Sequence, residues 1–219
     1  MSRWEPDAAG RLQRAALELF LERGYDDTTV AEITERAGLT KKTFFRHFAD
    51  KREILFSGQE ALSQLSVDAI AGAPGPVAPI NMIAAALEAV EAVFTPEMRE
   101  LARQRQSVIA GNSGLREREL LKRATFTAAL GDALRGRGVA DPIASLAAEV
   151  GGLAFRMTYA RWIHPASQQD FADLAHQALE ELGAATTALS PGNARPVRSA
   201  NSFGSTHADE RAAGSRPER

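Results

Sequence analysis

A short basic segment is the part of this sequence whose side chains are best suited to binding chemistry. Five basic residues lie between positions 40 and 52, against a single acid at Asp50: Lys41, Lys42, Arg46, Lys51 and Arg52. Guanidinium and ammonium groups clustered in this way can contact phosphates and the edges of bases. The 219-residue chain has a formal net charge of −2, so this interpretation depends on local charge and receives no support from the whole.

The basic segment coincides with a pattern that predicts two short helices joined by a tight turn. Thr29 and Glu32 have the spacing of a capping box, in which each residue satisfies a backbone amide of the other at a helix start. Thr40 can cap the next helix, on which Phe44 and Phe48 share the inward face. Two such helices make a helix-turn-helix, whose second helix enters the major groove of DNA. A solvated basic face on an ordinary helical protein is the alternative interpretation.

The rest of the chain is predicted to be helical as well, because sustained alternation of β-branched and polar residues is absent. A first helix ends at Gly24, and a fourth begins at Asp50 and runs to the break at residues 72–76. Five longer helices follow, at roughly 78–94, 97–111, 114–136, 141–164 and 167–189. The predicted fold class is therefore all-α, with about nine helices. Residues 190–219 are rich in Ser, Gly and Pro, and we predict a disordered tail.

The helix-turn-helix segment closely resembles the DNA-binding domain of TetR-family regulators over about residues 10 to 60. The resemblance is carried by Gly24-Tyr25, Thr28-Thr29-Val30-x-x-Ile33, Ala37-Gly38-Leu39-Thr40 and Thr43-Phe44-Phe45-Arg46-His47-Phe48-x-x-Lys51. It implies an N-terminal three-helix DNA-binding domain, here residues 8–55, joined to a larger helical ligand-binding and dimerisation domain, here residues 56–189. The family also implies a homodimer whose last two long helices form the interface.

The resemblance assigns roles to individual residues where the motif aligns. Thr29 and Lys51 would contact phosphates at the starts of helices two and four, and His47 would make another backbone contact. The remaining expected DNA contacts come from the second helix of the motif and its cap: Thr40, Lys41, Lys42, Thr43, Phe45 and Arg46. Among these, Lys41, Lys42, Thr43 and Arg46 occupy the positions from which the family reads bases.

Two residues depart from the family pattern. Phe45 stands where the family usually has a tyrosine whose hydroxyl bonds a phosphate, so only ring contact with a sugar or a thymine methyl remains. Thr34 replaces the usual small alanine of the second helix. One neutral hydrogen bond contributes about 1 kcal/mol net, so neither departure is expected to abolish DNA binding.

We expect the dimer interface on the helices at 141–164 and 167–189. The first contains clustered small residues, Ala147, Ala148, Gly151, Gly152 and Ala154, and two glycines inside a helix are tolerated at a cost of roughly 1 kcal/mol each. The second carries an apolar stripe, Phe171, Leu174, Ala178 and Leu182. Packing of both helices within one subunit is the alternative.

A small-molecule effector would have to bind among helices five to eight. The side chains suited to lining such a pocket are mostly aromatic or thioether groups: Met82, Phe94, Met98, Phe126, Phe155, Met157, Tyr159 and Trp162. Arg103 and Arg156 interrupt apolar stretches and could meet an anionic ligand. Core packing is the alternative for the apolar residues, and structural ion pairs are the alternative for the arginines.

Enzyme and metal functions find no support in the sequence. Cysteine is absent, which excludes disulfides and thiolate sites and fits a reducing cytoplasm. The histidines at 47, 164, 176 and 207 lack metal-ligand spacing, and no phosphate-binding loop, dinucleotide fingerprint or nucleophile elbow occurs. We expect no cofactor, no metal and no membrane span, since the most apolar stretch is interrupted by charges.

These observations favour a dimeric repressor that binds palindromic or near-palindromic operator DNA and is released by a small, partly apolar ligand. Two alternatives stay open. One is a constitutive DNA-binding or architectural dimer whose second domain only dimerises. The other is an activator of transcription.

Overall fold

The computed structural model describes residues 7–189, and within this range the protein is entirely helical. Ten α-helices and one 3₁₀ turn follow one another: Ala8–Arg23 (α1), Val30–Arg36 (α2), Lys41–His47 (α3), Glu53–Phe56 (α4), Gln59–Gly72 (α5), Pro79–Glu88 (α6), the 3₁₀ turn Glu91–Val93, Met98–Gly111 (α7), Ser113–Gly136 (α8), Asp141–Trp162 (α9) and Phe171–Ala188 (α10). The all-α prediction is confirmed. The predicted tail at 190–219 lies outside the described residues.

The first three helices enclose a small core of their own. Leu12, Phe20, Ile33 and Phe44 are fully or almost fully buried in it. The same apolar cluster continues into the second half of the chain through Val108 and Ile109 of α7 and Leu115 of α8. The N-terminal core is therefore continuous with α7 and α8, with α1 packed against α7. The predicted domain boundary between residues 55 and 56 falls within α4.

The predicted continuous fourth helix is wrong, because the chain turns between α4 and α5. Gly58 has φ 83°, a left-handed conformation that glycine adopts without steric cost. The Asp50 side chain accepts hydrogen bonds from the amides of Arg52 (2.8 Å) and Glu53 (3.0 Å), as its Asx-x-x-Glu pattern predicts. α4 is thus a single turn that connects α3 with the larger helical body.

The larger body is built from α5, α6, α8, α9 and α10, with α9 packed between α8 and α10. Ile83 of α6, Leu130 of α8 and Ala148 of α9 belong to its central core. A separate aromatic cluster centres on Trp162 and Phe171 with Val90 and Leu174. Within the described range, no helix combines the length and the hydropathy needed to cross a membrane.

The small residues of α9 serve packing inside the subunit, which corrects their expected place at a dimer seam. A Cβ atom on Gly151 would lie 3.0 Å from Ile83 Cγ2 and 3.2 Å from Leu130 Cδ1. On α10, Phe171, Leu174 and Ala178 are likewise buried within one subunit. The close approach that these glycines permit is therefore between α9 and its neighbours α6 and α8.

A different face of α9 remains uncovered in the single subunit. Ile143, Leu146 and Leu153 are exposed, and Val150 and Met157 are half-buried on the same side. These five residues follow one another at intervals of four or three, which places them on one stripe of the helix. Leu146 retains 64% of its surface accessible to solvent.

Candidate nucleic-acid interface and ligand cavity

Helix α3 is held rigidly by its cap and by two buried aromatic rings. Thr40 Oγ1 accepts a hydrogen bond from the amide of Thr43 (3.1 Å), which fixes the start of the helix. Phe44 and Phe48 are buried in the N-terminal core and contact each other with ring centroids 5.5 Å apart. The predicted inward face of this helix is confirmed, so its other side chains are directed away from the core.

The outward face of α3 carries the side chains that the sequence predicted to contact DNA. Lys41, Lys42, Arg46 and His47 are exposed, and the Phe45 ring is 57% accessible. Within the part of the chain that the structure describes, none of the three basic residues Lys41, Lys42 and Arg46 forms an ion pair. Arg36 on α2 differs, because it pairs with Glu22 at 2.9 Å and with Glu18 at 3.3 Å.

The start of α2 is closed by the predicted capping box. Thr29 Oγ1 accepts from the amide of Glu32 (3.3 Å), and the Thr29 amide donates to Glu32 Oε2 (2.8 Å). The Thr29 hydroxyl also donates to Glu32 Oε2 (2.7 Å). This hydrogen bond, followed by the one from the Thr29 amide and by the ion pair with Arg23 (2.9 Å), lowers the pKa of the Glu32 carboxyl. Thr29 lies exposed at this helix end, and its hydroxyl is engaged within the protein.

Lys51 has a structural role that the sequence analysis did not anticipate. Its Nζ donates to the carbonyl oxygens of Tyr25 (2.7 Å), Thr28 (3.0 Å) and Asp26 (3.1 Å). The ammonium also lies 4.3 Å from the centroid of the Tyr25 ring, a cation–π contact. An ammonium has three donors, so the expected phosphate contact by Lys51 requires it to release one of these carbonyls.

Tyr25 completes this junction between the first loop and the start of α4. Burial is the main cause that raises the pKa of Tyr25 to about 12, followed by the nearby charge of Asp50. The phenol therefore stays neutral at physiological pH. Its ring packs against Phe20 with centroids 5.1 Å apart. The loop between α1 and α2 is therefore contacted by Phe20 on one side and by Lys51 on the other.

A cavity of about 500 Å³ lies beside α4, between α5, α7, α8 and α9. Six of the eight aromatic and thioether residues predicted for a pocket line it: Phe94, Met98, Phe126, Phe155, Tyr159 and Trp162. Met82 does not, because it is buried in the core between α6 and its neighbours. Arg103 also does not, because its side chain donates to the carbonyl of Ile163 (3.0 Å) and pairs with Glu100. Arg156 lines the cavity, and Met157 does not.

Several polar groups of the cavity were missed by the sequence analysis. Arg105 donates to the hydroxyl of Tyr159 (3.2 Å) and to the carbonyl of Leu55. The side-chain oxygens of Gln59 and Gln106 are buried without a hydrogen-bond partner among the described residues, and so is the indole nitrogen of Trp162. All of these residues line the cavity. Buried polar atoms without partners are rare in proteins, and these three belong to residues that line the cavity.

Comparison with known proteins supports the assignment of the N-terminal domain. Residues 12–57 match the family model described as bacterial regulatory proteins, tetR family. Over 80 residues the chain is 39% identical to the HTH-type transcriptional regulator TcmR of Streptomyces glaucescens, a match that covers 36% of this chain and 35% of that protein. The chain thus matches about a third of the length of this relative.

Solved structures share the fold over most of the chain. A candidate transcriptional regulator from Pseudomonas aeruginosa PAO1 superposes with a TM-score of 0.56 at 21% identity, covering 86% of this chain and 93% of that one. The regulator FadR from Bacillus subtilis, solved in complex with stearoyl-CoA, superposes with a TM-score of 0.50 at 19% identity, covering 79% and 96%. A helix-turn-helix domain followed by a larger helical body is the fold that these proteins share with this chain.

Proposed function

We propose that this chain, whose residues 12–57 match the tetR family of bacterial regulatory proteins, is a dimeric repressor of that family, released from operator DNA by a small ligand. The observation that carries the proposal is the outward face of α3. Lys41, Lys42 and Arg46 stand exposed there without carboxylate partners among residues 7–189, on a helix whose cap and buried rings hold it rigid. Exposed cations that no carboxylate neutralises can bind phosphates and base edges.

Selection of bound sequences from a random DNA pool tests the DNA-binding part of the proposal. We expect a palindromic or near-palindromic motif whose half-sites are about one helical turn apart. Replacing Arg46 by Ala should relax base preference at particular positions of the recovered motif. Arg36→Ala is the matched control, because Arg36 is exposed on α2 but paired with Glu18 and Glu22. Failure to enrich any sequence, with no salt-sensitive complex, would contradict the proposal.

Dimerisation is supported by the uncovered stripe on α9. Ile143, Leu146 and Leu153 expose a contiguous apolar face that a second copy of the chain would bury. A dimer with two helix-turn-helix domains binds paired half-sites far more tightly than a monomer binds one half-site, because the second domain binds intramolecularly once the first is bound. The proposed interface thus retains the predicted helices, 141–164 with 167–189, but uses the outward face of α9.

Control by a ligand is supported by the cavity. A filled core would favour the alternative of a constitutive DNA-binding dimer, whereas a volume of about 500 Å³ lined by aromatic rings and polar side chains suits a small molecule. The Bacillus subtilis neighbour holds stearoyl-CoA. We propose a partly apolar effector for this chain and a cytoplasmic location, where bacterial operator DNA lies.

The direction of regulation is tested with a reporter gene placed behind the selected DNA sequence. A repressor lowers reporter expression when the chain is present, and an activator raises it. Expression that does not respond to the chain would favour the architectural alternative, in which DNA is bound without control of a promoter.

A further inference from the structure

Helix α4 is attached to the larger body by cations that also line the cavity. The Glu53 carboxylate accepts hydrogen bonds from Arg118 Nη2 (2.6 Å) and Nε (3.0 Å). Its second oxygen lies 3.4 Å from Lys122 Nζ. Both Arg118 and Lys122 are on α8 and line the cavity. The same two cations therefore face a protein carboxylate and the volume open to a ligand.

Arg105 provides a third connection of the same kind. Its guanidinium donates to the carbonyl oxygen of Leu55 on α4 and to the hydroxyl of Tyr159 on α9. It also lies 5.5 Å from the centroid of the Phe56 ring, on α4 as well. Arg105 lines the cavity, so a ligand that accepts hydrogen bonds from it would compete with α4 for the guanidinium.

Basic side chains outnumber acidic ones in the lining of the cavity. Its lining contains five basic and two acidic side chains: Arg105, Arg118, Lys122, Arg123, Arg156, Glu60 and Glu119. Glu119 is already paired with Arg123 at 3.1 Å. Arg105 and Arg156 have no carboxylate partner in the described part of the chain. A partly enclosed site with excess cations favours an anion, because charge-assisted hydrogen bonds are the stronger ones.

We propose that the cavity binds an amphipathic organic anion and that this anion competes with Glu53 and the Leu55 carbonyl for Arg118, Lys122 and Arg105. The apolar part of the ligand would occupy the aromatic side of the cavity, formed by Phe126, Phe155 and their neighbours. Binding would loosen α4, which directly follows the reading helix α3. The proposal rests on the proposed function, since it names the ligand class and the release step of that same cavity.

A matched pair of fluorescent probes tests the ligand class. 1-Anilinonaphthalene-8-sulfonate and N-phenyl-1-naphthylamine share one aromatic skeleton, and only the first carries a sulfonate. Energy transfer from Trp162 in a Trp4→Phe background reports binding near the cavity, since the chain has two tryptophans. We expect the sulfonate to bind at least about tenfold more tightly, as one charge-assisted hydrogen bond implies. Equal or weaker binding of the sulfonate would overturn the proposal.

Substitution of Arg118 and Lys122 tests whether the sulfonate group binds beside these two cations. Arg118→Met with Lys122→Met should weaken the sulfonate by about tenfold or more and leave the neutral probe within about twofold. Arg135→Met is the control, because Arg135 is a partly exposed arginine that pairs with Asp132 and Asp141 and does not line the cavity. A loss shared by both probes, or by the control, would contradict a specific role of these cations.

Competition with α4 is tested by Glu53→Gln, which frees Arg118 and Lys122. We expect the sulfonate to bind several-fold more tightly and DNA more weakly, because coupling between the two sites is reciprocal. Glu100→Gln, whose partner Arg103 lies outside the cavity, should change neither affinity. Unchanged sulfonate binding in Glu53→Gln would overturn the competition.

Hydrogen exchange on the unaltered chain gives a second measurement that needs no variant to fold. Saturation with the sulfonate should accelerate exchange of the α4 amides, and saturation with the neutral probe should not. Slower exchange or no difference between the probes would contradict loosening of α4. The probe affinities require no DNA, so a failure of operator binding and a failure of anion recognition are observed separately.

Discussion

At the scale of single residues, the helix-turn-helix uses its cations in two different ways. Lys42 is exposed on α3 without an ion pair in the described structure, whereas the ammonium of Lys51 is enclosed by three carbonyls. Both are lysines in one basic segment, and the family resemblance predicts a DNA contact for each, with bases for Lys42 and with a phosphate for Lys51. The difference arises from the chain fold, which brings the loop at residues 25–28 against Lys51.

This difference predicts opposite effects of two matched substitutions. Lys51→Met should lower the free energy of unfolding by about 1–3 kcal/mol, because it removes charge-assisted hydrogen bonds to three carbonyls. DNA affinity should fall for all sequences, but with an unchanged slope of log affinity against log salt. Lys42→Met should leave stability within about 0.5 kcal/mol and reduce that slope by up to about 0.9, because an exposed cation is removed from the helix that enters the DNA and fewer counterions are released.

Urea unfolding and DNA titrations over a range of salt concentrations provide both quantities. If Lys51→Met reduces the salt slope as Lys42→Met does, Lys51 exchanges a carbonyl for a phosphate in the complex. That result would restore the phosphate role that the family resemblance implies for Lys51.

We expect that a substitution at Phe45 can raise the affinity of the protein for DNA. Its ring is 57% accessible, so a hydroxyl at the end of the ring meets no core atom. Phe45→Tyr restores the tyrosine usual in the family and adds one phosphate hydrogen bond. We expect about fivefold tighter binding to all DNA sequences, measured by fluorescence anisotropy, from a bond of about 1 kcal/mol. Phe45→Leu should bind more weakly than either, and equal binding of all three would contradict a DNA contact at this position.

At the scale of helices, capping patterns in the sequence predicted where α2 and α3 begin. They did not predict the break between α4 and α5. The capping box of Thr29 and Glu32 and the cap at Thr40 depend on side chains three residues apart, so they are visible in the sequence. The break at Gly58 is different, because the apolar pattern runs on from α4 into α5. A glycine permits the turn, but packing of α4 against α1 and α7 decides that it occurs.

The glycines of α9 give a prediction at this scale. A Cβ atom at Gly151 would lie 3.0 Å from Ile83 and 3.2 Å from Leu130, both fully buried. Gly151→Ala should therefore destabilise the protein by about 1–3 kcal/mol despite the better helix propensity of alanine. Gly72→Ala is the control, because nothing lies within 4 Å of its added Cβ, and it should be neutral or stabilising by up to about 1 kcal/mol. Thermal and urea unfolding compare the two, and equal effects would contradict the close packing of α9 on α6.

At the scale of the whole molecule, the sequence predicted the apolar part of the cavity better than its polar part. Phe94, Phe126 and Phe155 were recognised as large rings outside the DNA-binding domain. Gln59, Arg105 and Gln106 were missed, because a glutamine or arginine on a helix is usually solvated. Only the packing of α5 and α7 around the cavity buries them, and that packing joins residues almost fifty positions apart in the chain. The DNA contacts predicted from the sequence remain predictions, and the exposed face of α3 supports those made by this helix.

The last prediction concerns assembly. Leu146 is 64% exposed on the apolar stripe of α9, so Leu146→Arg should leave the subunit folded and place a charge in the proposed interface. We expect a monomer by sedimentation where the unaltered chain is a dimer, and binding to a two-half-site operator reduced to that of a single half-site. Leu65→Arg is the control, because Leu65 is an exposed leucine on α5, away from the stripe. A dimer that persists in Leu146→Arg would exclude this stripe as the interface, and a monomer that retains full affinity for the paired site would exclude cooperation between the two reading helices.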